Sequence, residues 1–193
     1  MKKLLISFII IASSTFSLKA QSVDYGVVSG MNFAKITKTN PEADINRRIG
    51  FMVGLYGNFK LSNSNFSIQP ELIYTQKGVE GTVSGSDVII KLDYIEVPVL
   101  LKYDFIPGGK VSPNIYVGPY VAINVNTKAE TAEGEADLGS FVKNADGGFI
   151  TGLGLDVGFF DIGVQYSFGL IELGKNLPVA TGKNSVLSLV VTI

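Results

Sequence analysis

The feature that most constrains this chain is an alternation of period two that recurs in segments about ten residues long. Phe149, Thr151, Leu153, Leu155, Val157 and Phe159 fall on one parity, with Ile150, Gly152, Gly154, Asp156 and Gly158 on the other. The next segment sets Ile162, Val164, Tyr166, Phe168 and Leu170 against Gly163, Gln165, Ser167 and Gly169. The last sets Leu187, Leu189, Val191 and Ile193 against Val186, Ser188, Val190 and Thr192. Successive side chains of a strand point to opposite faces, so the pattern predicts strands with one apolar face and one small or polar face. Five more candidates lie at 25–33, 50–59, 66–77, 92–103 and 115–125, making eight strands of the length that crosses a bilayer at a tilt. No segment after residue 20 supplies the long apolar run of a membrane helix. The longest uncharged stretch, 111–127, is broken by Pro113, Pro119 and several Asn.

Between the candidate strands the connections alternate in length. Long ones fall at 34–48, 78–91, 126–147 and 172–184, and short ones at 60–65, 104–114 and 160–161. An even strand count puts both chain ends on the short-turn side, as in barrels with short periplasmic turns and longer outer loops. The N-terminus predicts export. Met1, Lys2 and Lys3 precede an apolar stretch, 4–12, and a small and polar run ends in Leu18-Lys19-Ala20 before Gln21. This is the pattern of a secretory signal peptide over 1–20, followed by one domain over 21–193. No Cys follows the predicted cut for lipid attachment.

Period two alone leaves open whether the apolar face looks into a barrel, as in a soluble lipocalin-like binder of an apolar ligand, or outward at lipid. Charge placement favours lipid. Most charges fall in the predicted connections, and those read as belonging to the strands are Asp24, Glu71, Asp93, Glu96, Lys102 and Asp156. A soluble barrel needs a polar outer surface along every strand. All but Asp93 share the Gly-rich, polar parity, and Asp93 is placed at a strand end, at headgroup depth. Phe59, Phe66, Tyr103, Phe105, Phe159 and Phe160 gather where strands meet short turns, the level of an interfacial girdle. In lipid every strand edge must be paired, which requires closure. The expected fold is therefore all-β, an eight-stranded antiparallel up-and-down transmembrane β-barrel in the outer membrane. Pro70, Pro98 and Pro119 fall inside predicted strands, where each removes a ladder hydrogen bond; bulges or displaced strand ends are the expected accommodation.

Several runs resemble a known family. They are Gln69-Pro70-Glu71 through Tyr74 to Lys77-Gly78, Tyr94-Ile95-Glu96-Val97-Pro98-Val99-Leu100-Leu101-Lys102-Tyr103, Gly118-Pro119-Tyr120, Gly152-Leu153-Gly154 and Gln165-Tyr166-Ser167. Together they resemble the PorT-like outer-membrane beta-barrel family of Bacteroidetes over nearly all of the mature chain. The resemblance implies that prolines at these positions are a family feature. It also offers an alternative role as an accessory of protein secretion or envelope assembly, since the member that names the family is implicated in a secretion apparatus. The terminal Ile193 departs from the aromatic residue that ends many outer-membrane barrels.

The absence of both Cys and His removes disulfides, thiolate or imidazole metal sites and the Ser-His-Asp triad. A formal net charge of −1 argues against nucleic-acid binding. No catalytic, cofactor or metal site is expected. Eight strands leave an interior just wide enough for side chains. Gln69, Glu71, Glu96, Lys102, Asp156 and Gln165 share the inward parity and are the candidate lumen network, with Lys102 expected to pair with Glu96 or Glu71 because a buried charge needs a partner. The acidic connection with Glu130, Glu133, Glu135, Asp137 and Asp146 lacks the ordered ligand spacing of a Ca²⁺ loop and reads as solvated. Outer-membrane lipid, and envelope proteins reached through the outer loops, are the expected partners of a monomer.

Overall fold

The computed structural model describes residues 20–38, 44–83, 86–131, 134–137, 143–173 and 182–193. Apart from Ala20, the predicted signal peptide lies outside the described residues, as does most of the connection over 172–184. The alternating segments form strands β1 (Ala20–Lys38), β2 (Asp44–Leu61), β3 (Phe66–Val83), β4 (Ser86–Asp104), β5 (Ser112–Thr131), β6 (Gly134–Asp137), β7 (Ala145–Val157), β8 (Phe160–Gly169) and β9 (Gly182–Thr192). They pair in the order β4-β3-β2-β1-β9-β8-β7-β5, and the β4–β5 pairing closes the ring. Eight strands thus make a closed antiparallel barrel; β6 pairs only with the far end of β5, from Lys128↔Asp137 to Thr131↔Gly134.

Strands β1 to β5 run 18 to 20 residues, far longer than the alternation predicts. About ten tilted residues cross a bilayer. The rest continue the hairpins past one end of the barrel, so most of the predicted long connections are strand; the end so extended is the outer end here. There the outward face no longer carries an unbroken apolar row, while inward residues such as Ile36, Val79 and Ile90 stay buried, and the ladder continues. The inner turns are short, 62–65, 105–111 and 158–159. The last turns at Gly158-Phe159 rather than at 160–161, because Gly158 takes a positive φ of 75° suited to a tight hairpin.

Outward side chains are the apolar parity. Leu55, Leu72, Val121, Ile123, Leu153 and Ile162 all stand more than half exposed on the isolated chain. The inner rim carries Phe66, Tyr103 and Phe105 in contact, and Phe159 against Phe160. A belt of this kind has no counterpart in water unless something apolar covers it.

The prolines are accommodated without bulges or displaced ends, which corrects the sequence expectation. Pairing of β2 with β3 stops at Tyr56↔Glu71 and resumes at Phe59↔Ile68 in unchanged register, skipping Pro70 and Gln69. Strands β3 and β4 likewise skip Pro98 and Val97 between Pro70↔Val99 and Ile73↔Glu96. Strands β4 and β5 skip Pro119 and Gly118 between Pro98↔Tyr120 and Leu101↔Val117. In an antiparallel strand the N–H and C=O of one residue face the same neighbour, so a missing N–H costs one ladder and leaves the other intact. Pro70↔Val99, Pro98↔Tyr120 and Pro119↔Phe149 are the intact sides.

Asp93 is also corrected. It lies within β4 and is only 6% exposed. The β4–β5 register shifts between Asp93↔Asn126 and Tyr94↔Asn124, which leaves Val125 unmatched and lets Asn126 Nδ2 donate to Asp93 Oδ2 at 3.0 Å. A hydrogen-bonded carboxylate beside a bulge is tolerated away from a strand end.

Candidate functional site

The lumen is filled in layers, and its contents follow from which parity each strand turns inward. Near the outer end Ile36, Val79, Ile90, Leu92, Tyr94, Leu100, Tyr120, Ala122 and Ile150 form one apolar cluster. Leu173, from the segment after β8, drops into it and is fully buried. Its N–H donates to Gly182 O at 2.9 Å, and its carbonyl accepts from Lys143 N at 2.9 Å, so the chain is pinned across the mouth.

Against this layer lies a buried ion cluster. Lys77 Nζ stands 2.5 Å from Glu96 Oε2 and 3.6 Å from Asp146 Oδ2. It also lies 4.5 Å from the Tyr120 ring centroid and 5.3 Å from that of Tyr94, close enough for cation–π attraction. Asp146 is held on all sides: Tyr120 Oη donates at 3.1 Å and Asn184 Nδ2 at 2.8 Å to Oδ2, and Gly147 N donates at 2.8 Å to Oδ1. Each of the three charges is under 5% exposed.

The middle layer centres on Asn32. The β2–β3 register shifts between Arg47↔Val79 and Met52↔Thr75, which frees backbone carbonyls in the wall. Asn32 Nδ2 donates to Gln76 O at 2.9 Å and to Thr75 Oγ1 at 2.8 Å, while its Oδ1 accepts from Ser188 Oγ at 2.8 Å. Arg48 Nη1 donates to Lys77 O at the same break. Asn32→Leu should lower stability by about 1–3 kcal/mol, the cost of leaving buried polar groups unpaired. Urea unfolding in lipid vesicles will show this as a lower midpoint; an unchanged midpoint would mean that water fills the place of the amide.

At the inner end Lys102 Nζ pairs with Asp161 Oδ2 at 2.6 Å and approaches Asp104 Oδ1 at 3.8 Å; Asn114 Nδ2 donates to Asp161 Oδ2 at 2.7 Å. Gln69 Nε2 donates to Glu71 Oε1 at 2.7 Å, and Glu71 makes no ion pair among the described residues. Gln165 lies between Tyr116 Oη, 3.5 Å from its Oε1, and Met52 Sδ, 3.9 Å from its Nε2. A cavity of about 20 Å³ lined by Glu71, Lys102, Asp161 and Gln165 has room for about one water. Gly152 and Gly154 are small because their cross-strand partners lie over them. A Cβ at Gly152 would sit 2.3 Å from the Tyr116 ring, and one at Gly154 would sit 2.5 Å from Asn114 Oδ1.

Gln69, Glu71, Glu96, Lys102 and Gln165 are therefore all buried, but in two separate clusters. The expected pairing of Lys102 with Glu96 or Glu71 is wrong: Lys102 pairs with Asp161, and Glu96 pairs with Lys77. Lys102 and Glu96 are on the same strand, six residues apart, and face different depths of the lumen. Asp156, cross-strand from Asp161, is half-buried at the inner mouth and joins neither cluster. Asp146 and Asp161 escaped the sequence reading because they fell in predicted connections, and Lys77 because it was the last residue of a predicted strand. Their signal was parity: each continues the inward set of its strand, Lys77 with Gln69 and Glu71, Asp146 with Ile150 and Gly152, Asp161 with Gly163 and Gln165.

Comparison with solved structures finds the same fold elsewhere. Neisserial surface protein A, NspA, is 16% identical, with a TM-score of 0.51 over 89% of this chain and 98% of that one. OprG from Pseudomonas aeruginosa is 14% identical, with a TM-score of 0.49 over 89% and 91% of the two chains. Ail, the attachment invasion locus protein of Yersinia pestis, is 13% identical, with a TM-score of 0.47 over 87% and 95%. No curated protein sequence matches. The outer membrane protein beta-barrel domain family matches residues 19–174. A closed eight-stranded barrel with an apolar outer belt and a packed lumen, most of it within that match, belongs to this family of outer-membrane proteins.

Proposed function

We propose that this outer-membrane barrel is a non-conducting, non-catalytic monomer that acts through its outer hairpins, by recognition or as a structural element of the envelope. The observation that carries the reading is the filled bore. Leu173 is buried in the apolar layer, and Lys77, Glu96 and Asp146 occupy the cross-section beside it, each almost without exposure, which supports a bore filled by side chains at that level. Glu96, Asp146 and Asp161 already serve as partners of lysines, and Glu71 is held by Gln69 in a separate cluster from Glu96, which supports a non-catalytic reading of the described carboxylates. The long, ladder-braced ends of β1 to β5 hold a recognition surface clear of the bilayer.

The finer assignment to the PorT-like barrels of Bacteroidetes is proposed on the runs around Glu71, Glu96 and Gly118. Export with loss of residues 1–20 is proposed on the N-terminal pattern. Planar-bilayer recording of the refolded chain tests the first reading: a silent barrel is expected, and steady single-channel steps would end it. The mass of the chain recovered from the outer-membrane fraction should correspond to a start at Gln21; a retained Met1 would refute the export reading.

A further inference from the structure

The outward face changes character where β9, β1 and β2 leave the apolar belt. Phe33 of β1 stands across from Ile49 of β2 and Leu187 of β9, and these three form the last apolar row. Just beyond the buried pair Ala34↔Arg48, Lys35 on β1 and Arg47 on β2 are both exposed, although the β3 partner of Arg47 is the buried Val79; Lys183 of β9 lies opposite Thr37, one step beyond Lys35. All three cations are exposed, and among the described residues none has an ion-pair or hydrogen-bond partner. Glu80, one step from Val79 opposite Arg47, forms no ion pair with it. On the β4–β5 side the arrangement differs, since Lys91 is neutralised there by Glu130. Three cations from adjacent strands, with no ion-pair partner among the described residues and just above a strip of Phe33, Ile49, Leu187, Met31, Phe51 and Leu189, match a ligand with a phosphate at headgroup depth and acyl chains below it.

We infer that Lys35, Arg47 and Lys183 form a binding site for a phosphate-bearing lipid headgroup of the outer leaflet. Arg47 can hold a phosphate with two parallel N–H donors, while the two lysines act as flexible point charges whose stems lie along the apolar strip. The site is independent of the lumen and of any partner of the outer hairpins.

The test is native mass spectrometry of the detergent-solubilised full chain, titrated with diphosphorylated lipid A, its dephosphorylated form, phosphatidylcholine and inorganic phosphate. The unaltered barrel should prefer the diphosphorylated lipid. Each of Lys35→Gln, Arg47→Gln and Lys183→Gln should weaken that binding about fivefold, and the three together on the order of a hundredfold, as expected for cations at a charged surface. Lys110→Gln on an inner turn should change nothing. Retained migration of the folded band in unheated gels shows that the variants fold; should the triple variant fail, the single variants decide. Equal binding by the variants, or no preference for the phosphorylated lipid, overturns the proposal. Displacement of the lipid by inorganic phosphate at matched concentration also overturns it, because the site would then be one for free anions.

Discussion

Lys77→Met is expected to cost about 3–5 kcal/mol, because it removes the one cation between two buried carboxylates. Glu96 and Asp146 would face each other across a methionine with almost no access to water. Tyr120 and Asn184 would still donate to Asp146, which softens its loss, but the carboxylate of Glu96 has its close contact at 2.5 Å with Lys77 alone among the described contacts. That cost is a large share of the 5–15 kcal/mol that holds an ordinary domain folded. The measurement is the urea concentration at which the folded band disappears from unheated gels of vesicle-reconstituted protein. Adding Glu96→Gln and Asp146→Asn to Lys77→Met removes the stranded charges and should recover most of the loss. A single variant as stable as the parent would mean that water reaches the cluster, and a wet bore would undo the non-conducting reading as well.

Leu153→Arg is expected to be the most damaging change on the outer surface. Leu153 is 65% exposed on β7, between Ile115 of β5 and Val164 of β8, several residues from the inner turn at Gly158. In hydrocarbon an arginine near mid-depth costs about 2–4 kcal/mol, falling to about 0–1 near an interface. Val111→Arg, at the edge of the inner turn, should therefore be nearly silent. The same gel assay reads both. A barrel in water would accept either arginine, so equal and small effects would contradict a lipid-facing belt, whereas a steep dependence on depth would support it.

The wall of the barrel was legible in the chain because lipid enforces a strict rule. Outward residues such as Leu153, Leu155 and Ile162 must be apolar, their neighbours Gly152, Gly154 and Gly163 need not be, and the two sets alternate through the belt with few polar outward members, Ser29 and Thr151 among them. The lumen was half legible for the same reason. Gln69, Glu71, Glu96, Lys102 and Gln165 all lie on the inward parity and are all buried. Lys77, Asp146 and Asp161 obey the same parity, yet charge near an assumed strand end looks like a loop, so the partners that balance the lumen were assigned to solvent.

By itself, then, the order of residues determined that this chain alternates, closes and faces lipid, since those properties depend only on neighbours two positions apart and on where charge is forbidden. Three-dimensional pairing decided the rest. Which lysine meets which carboxylate depends on the stagger between strands far apart in sequence, as with Lys102 and Asp161 or Lys77 and Asp146. How Pro70, Pro98 and Pro119 fit depends on which neighbouring strand each missing N–H would have served, and how far the hairpins rise depends on ladders that water-exposed sequence does not mark. Local pattern fixes the face a side chain takes; only the closed cylinder fixes its depth and its partner.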